Sequence, residues 1–191
     1  MSFVSIVMSN DFLTIMSDGR VSGLEYEIED FQKFVCSNDG KSFVAFSGDR
    51  TGCEIISQEV LKSFQLGIPY KTISKELIEF IDRNFGYNVV IKIAFGGIGE
   101  HGEIEVYNYD YPSKEETYFH PSEREIDYIF LCNVPKTLRP EVANKFGELL
   151  NETGKDSPSS IIQAQKLLNN YVSSFDNTVN KKTFRAVIKK H

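Results

Sequence analysis

The hydrophobic period of this chain changes in a fixed order: 2, then 3.6, then 2, then 3.6, then 2 again. Residues 2–8 are short, apolar and β-branched, and Asn10-Asp11 marks a tight turn before a second strand over 12–17, so the chain opens on a hairpin. Asp18-Gly19-Arg20 breaks that pattern, and 21–26 continues as irregular strand. Residues 31–37 and 42–47 form another hairpin about Asn38-Asp39-Gly40. Asp49 then N-caps a helix whose apolar face carries Ile55, Ile56, Val60, Leu61 and Phe64, and Gly67-Ile68-Pro69 ends it. A second helix spans about 72–84 on the stripe Ile73, Leu77, Ile78 and Ile81. Strands return over 88–95, 104–111 and 126–132. Helices follow over 140–150 and 159–175, the latter opened by Pro158, and 183–190 closes as a strand.

Segment 88–95 is nearly all apolar, as in a strand covered on both faces. Each helix pair also needs a sheet face to cover. An α+β chain meets both demands as a four-layer α/β/β/α sandwich of two stacked antiparallel sheets, here one domain over 1–191.

Charge and composition exclude several functions. A net charge of -6 does not suit neutralisation of a phosphate backbone, so nucleic acid is not an expected partner. The basic group Lys181, Lys182, Arg185, Lys189 and Lys190 alternates with apolar residues and reads as the solvated face of the last strand. Cys36, Cys53 and Cys132 have no metal or disulfide spacing, which fits free thiols in a reducing compartment. His101, His120 and His191 are scattered, so no metal and no cofactor is expected. The N-terminus lacks a basic region and a long apolar stretch, which predicts no membrane span and a cytoplasmic location. Gly97-Ile98-Gly99-Glu100-His101-Gly102 has the G-x-G-x-x-G pattern, but an alternating strand follows it where a dinucleotide site needs a helix; it reads as a hairpin loop. Tyr107, Tyr109, Tyr111 and Tyr118 recur at strand spacing and predict a half-exposed sheet face.

Four segments carry a resemblance. They are the opening Ser2-Phe3-Val4-Ser5-Ile6-Val7, the strand ending in Ser17-Asp18-Gly19-Arg20, Lys33 within Phe31–Val35, and Phe43–Asp49 leading into a helix. With the element order, the chain resembles a proteasome β-type subunit, and the proteolytic subunit of the bacterial two-component ATP-dependent protease in particular. The resemblance implies an N-terminal-nucleophile hydrolase of threonine or serine type, in which Ser2 is the nucleophile after removal of Met1. A hydroxyl needs a base to attack at neutral pH, and a free α-amine, with a pKa of about 8, can be that base on the same residue. By the same resemblance, Lys33 lowers the amine's pKa and stabilises the alkoxide, Asp18 holds Lys33, the Ala45 N–H is the oxyanion donor, and Asp176 belongs to a supporting turn.

The sequence departs from the family at several points. Lys33 lies one residue closer to Asp18. Alanine stands at position 45 where the family has glycine. The Gly-Ser-Gly turn falls near Cys132-Asn133-Val134 without its serine. The Asp-x-x-Ser-Gly turn appears as Asp176–Asn180 without serine and glycine. The alternative reading is therefore a non-catalytic proteasome-fold protein acting as an assembly or binding element. The resemblance further implies a homo-oligomer, with a ring as one form, and for the protease reading a peptide substrate and an ATPase partner.

Overall fold

The computed structural model describes residues 3–22, 27–123, 125–132, 135 and 137–190. In chain order the strands and helices are β1 (Phe3–Met8), β2 (Phe12–Asp18), β3 (Val21–Ser22), β4 (Glu27–Ile28), β5 (Phe34–Cys36), β6 (Ser42–Gly48), α1 (Arg50–Gln65), α2 (Tyr70–Asn84), β7 (Ile91–Ile98), β8 (Ile104–Tyr111), β9 (Glu115–Phe119), β10 (Asp127–Cys132), α3 (Arg139–Thr153), α4 (Pro158–Val172) and β11 (Thr183–Lys189).

Two antiparallel sheets form the centre. One runs β10-β1-β2-β11 and the other β5-β6-β7-β8-β9; β3 and β4 pair separately. The strand period of 2 sorts side chains between layers. On β1, Val4, Ile6 and Met8 enter the inter-sheet core with Phe43, Ala45, Ala94 and Leu131. Phe3 and Val7 face the opposite way, into the core that α3 and α4 form with Phe146, Ile161, Leu168 and Val172. On β7, Ile91, Ile93 and Phe95 pack under α1 and α2, while Ala94 turns to the other sheet. The chain is thus the expected four-layer α/β/β/α sandwich, with a helix pair on each outer face.

Asp49 caps α1 as its position in the sequence predicts, accepting the Gly52 N–H at 2.8 Å. Asp49→Ala should cost about 1 kcal/mol of stability in a urea melt, the usual worth of such a cap.

Three elements differ from expectation. The strand expected over 31–37 is only Phe34–Cys36, because Lys33 turns inward ahead of it. Strand β9 carries no apolar alternation and is mostly exposed, so only its pairing with β8 reveals it. Tyr107, Tyr109 and Tyr111 are buried rather than half-exposed, because α2 covers β8; Tyr111 donates to Phe85 O at 2.6 Å and Tyr109 to Asp82 Oδ1 at 3.3 Å. Tyr118 alone of the four is half-exposed. The glycine-rich segment continues β7 to Ile98, turns at Gly99–Gly102 and enters β8. Among the described residues no helix is long and apolar enough to cross a membrane, and no cluster of His, Cys, Asp and Glu fits a metal ion.

Candidate active site

The hairpin β1–β2 sets the site. In its register Val4 faces Ser17, which brings the start of β1 beside the end of β2. Asp18 ends β2 and is wholly buried. Its Oδ1 accepts the Phe3 N–H at 2.8 Å and the Lys33 ammonium at 2.5 Å, and its Oδ2 accepts the Arg20 N–H at 2.9 Å. Lys33 Nζ also donates to the Asp18 carbonyl at 3.1 Å.

The backbone of Lys33 is held on both sides. Its N–H reaches Ser17 Oγ at 3.4 Å and its carbonyl accepts the Phe46 N–H at 3.0 Å. Lys33 consequently sits 1% exposed. Burial holds its pKa below the usual lysine range, and the Asp18 charge and hydrogen bond oppose that shift without cancelling it. An ion pair this deep needs both partners, since either alone would be an uncompensated buried charge.

Beside Lys33 lies a small cavity of about 20 Å³, walled by Val21, Phe31, Phe46, Gly48, Arg50 and Cys53. The Phe31 ring meets Phe46 edge-on at 6.3 Å, and the Arg50 guanidinium stands 5.0 Å over Phe31. Cys53 is no nucleophile here, because burial pushes its thiol up to about 12. Ser47 also lines the cavity; its Oγ is buried and has no hydrogen-bond partner among the described residues. Nothing in the local sequence distinguishes this hydroxyl from that of any strand serine.

The sheet register corrects the expected oxyanion donor. Ile98 N donates to Lys41 O, and Asp49 N to Val90 O, at the two ends of the β6–β7 ladder. Antiparallel bonding alternates between those ends, so Ala45 and Ala94 exchange both their bonds. The Ala45 N–H is therefore committed to the sheet, and the residue lies in the inter-sheet core. Phe46 N points the other way, to Lys33 O, and the alternation puts Gly48 N on that same side, past the start of β5. No described residue accepts the Gly48 N–H. Gly48 has φ of +120°, and a Cβ there would lie 2.1 Å from Val90 O, so only glycine fits. One signal in the sequence pointed here: Gly48 is the sole glycine between Phe43 and Asp49.

The other expected site residues are placed as follows. Ser2 and Asn133 lie outside the described residues. Asp176 sits in the turn after α4, where its Oδ1 accepts Thr178 N at 2.9 Å and Thr178 Oγ1 at 2.5 Å. It makes no described contact with Asp18 or Lys33. Its turn nonetheless docks beside them, because Gly19 N donates to Asn180 Oδ1 at 2.9 Å and Arg20 Nη1 to Asn177 O at 2.5 Å.

No family model matches the sequence, and no curated protein matches it. Solved structures do match its fold. HslV from Trypanosoma brucei superposes with a TM-score of 0.67 at 14% identity, over 98% of this chain and 99% of that one. Anbu, an ancestral β-subunit, from Yersinia bercovieri gives 0.72 at 12% identity, over 98% and 81%. The Anbu complex from Pseudomonas aeruginosa, solved as a helical assembly, gives 0.67 at 16% identity over the same shares. With its two stacked sheets, its outer helix pairs and these neighbours, the chain has a proteasome β-type fold.

Proposed function

We propose that this chain is an N-terminal-nucleophile amide hydrolase in which Ser2, exposed by removal of Met1, attacks a peptide carbonyl. The observation that supports this is the buried Lys33–Asp18 pair, whose carboxylate also receives the N–H of Phe3, the amide bonded to Ser2. That bond tethers the start of the chain to the carboxylate that holds the lysine. In this reading the α-amine of Ser2 takes the hydroxyl proton as the bond between Ser2 Oγ and the substrate carbonyl carbon forms and the carbonyl π pair moves to oxygen. The Gly48 N–H and the Lys33 ammonium stabilise the resulting oxyanion. The amine then hands its proton to the leaving nitrogen as the C–N bond breaks, and a water activated by the same amine hydrolyses the acyl ester.

Intact mass and a covalent probe test the reading together. The protein should lack Met1, and an epoxyketone should leave one adduct on Ser2 that Ser2→Ala abolishes. An adduct that persists in Ser2→Ala rejects this nucleophile. A specific observation favours the non-catalytic reading as well: the Asp176 carboxylate is spent on Thr178 rather than on the site. Under that reading no adduct forms even when Met1 is gone.

The hydrolase reading carries a peptide substrate, an ATPase partner and a cytoplasmic setting. It also carries a homo-oligomer, for which the helical assembly of the Anbu complex is the support. Sedimentation should then give a mass well above the 21.7 kDa of one chain.

A further inference from the structure

A second cavity lies away from Lys33. It measures about 420 Å³ and opens between the α1–α2 connection and the β7–β8 hairpin. Ser42 on its wall and Gly48 beside Lys33 are opposite ends of β6, roughly 20 Å apart at about 3.3 Å per residue. It is a separate site.

Two features of its lining converge. Glu103 and Glu105 share one face of the hairpin, and their carboxyls fill the space above Gly99. A Cβ on Gly99 would lie 2.6 Å from Glu103 Oε1 and 2.9 Å from Glu105 Oε1. Glu103 Oε2 is buried and has no hydrogen-bond partner among the described residues. Beside the carboxyls stand aromatic rings: Tyr107 and Tyr118 at 4.8 Å between centroids, and Tyr70 across the cavity, anchored through Ser42 Oγ at 2.7 Å. Adjacent carboxyls with an idle oxygen call for a donor of positive charge. Aromatic faces favour a flat cation over a compact one. A guanidinium is flat, carries a fork of N–H donors and bonds carboxylates two at a time.

We propose that this cavity binds a guanidinium group, seated between the Glu103 and Glu105 carboxylates and against the Tyr118 ring. Its source is either the arginine of a partner polypeptide or a free guanidino compound. The proposal does not depend on the activity of Ser2.

Protonation gives the site a pH dependence. Burial, then the hydrogen bond to Glu103 and the Glu103 charge, push the Glu105 carboxyl up to about 7, so near neutrality the pair shares a proton that an arriving cation displaces. The groups facing Glu105 are Glu100, His101 and Glu103 on the hairpin, Tyr107, Tyr118, and Tyr70 and Lys71 of α2. Ionisation of Glu105 strengthens binding, so affinity should rise between pH 6 and pH 8, the span about that value.

The test is titration of the full chain with arginine amide and with the tripeptide Gly-Arg-Gly, followed by NMR at the Gly99, Gly102 and Tyr118 amides. Citrulline amide, the neutral isostere, is the control. Saturable shifts with either arginine probe, weakened about tenfold or more in Glu105→Gln and in Glu103→Gln, support the site. Tighter binding of the tripeptide identifies the source as a polypeptide, and equal binding identifies a free compound. Equal binding of citrulline amide, no saturation at millimolar probe, or shifts unchanged in both folded variants overturn the proposal.

Discussion

Lys33→Met is expected to lower stability by about 3–5 kcal/mol in urea denaturation, because it leaves the Asp18 carboxylate buried without its cation. Methionine fills similar volume, so the loss reports charge rather than a cavity. The double variant Lys33→Met with Asp18→Asn should recover part of it, since no charge is then left in the interior. A single variant within about 1 kcal/mol of the parent would mean the pair does not carry the burial described.

The pH dependence has a defined sign. The folded-state pKa of Lys33 lies below its ordinary 10.5, so between the two values the folded chain binds fewer protons than the unfolded one. This group's contribution to stability therefore increases as pH rises toward 10.5. Tyr70, Tyr107 and Tyr109, pushed up to about 12, act in the opposite direction above their ordinary 10. The curve for the parent minus that for Lys33→Met isolates the lysine and should slope upward with pH.

Gly48→Ala is the second large effect. The methyl would fall 2.1 Å from the Val90 carbonyl at φ of +120°, against backbone that cannot rotate aside, for a loss of about 3 kcal/mol. It should also abolish probe labelling at temperatures where the variant is still folded, since the N–H facing Lys33 would be displaced. Ala45→Gly is the matched control. It removes one methyl from the inter-sheet core and leaves the Ala94 bonds in place, so labelling should persist. Labelling lost in Ala45→Gly and kept in Gly48→Ala would return the donor to position 45.

Much of the architecture was legible because its signals are local. The stripe of Ile56 and Val60 on α1, the Asp49 cap and the two-sided apolar run of β7 each follow from residues a few positions apart, although Ile55, expected on the same α1 face, is exposed. The Asp18–Lys33 pairing was legible through the resemblance. Strand β9 was not, because Glu115, Glu116 and Thr117 give no alternation and its order comes from β8. The tyrosines of β8 read as a half-exposed row because nothing within the strand announces that α2 will cover them.

The sequence alone thus settled the order of strands and helices and the layers they form, since period and turn chemistry act over short distances. Tertiary structure decided that Lys33 is buried and that Ala45 gives its N–H to Ala94 while the Gly48 N–H lies on the other side of β6, where Lys33 stands. Both depend on which strand lies alongside and in what register, and that pairing joins residues far apart in the chain.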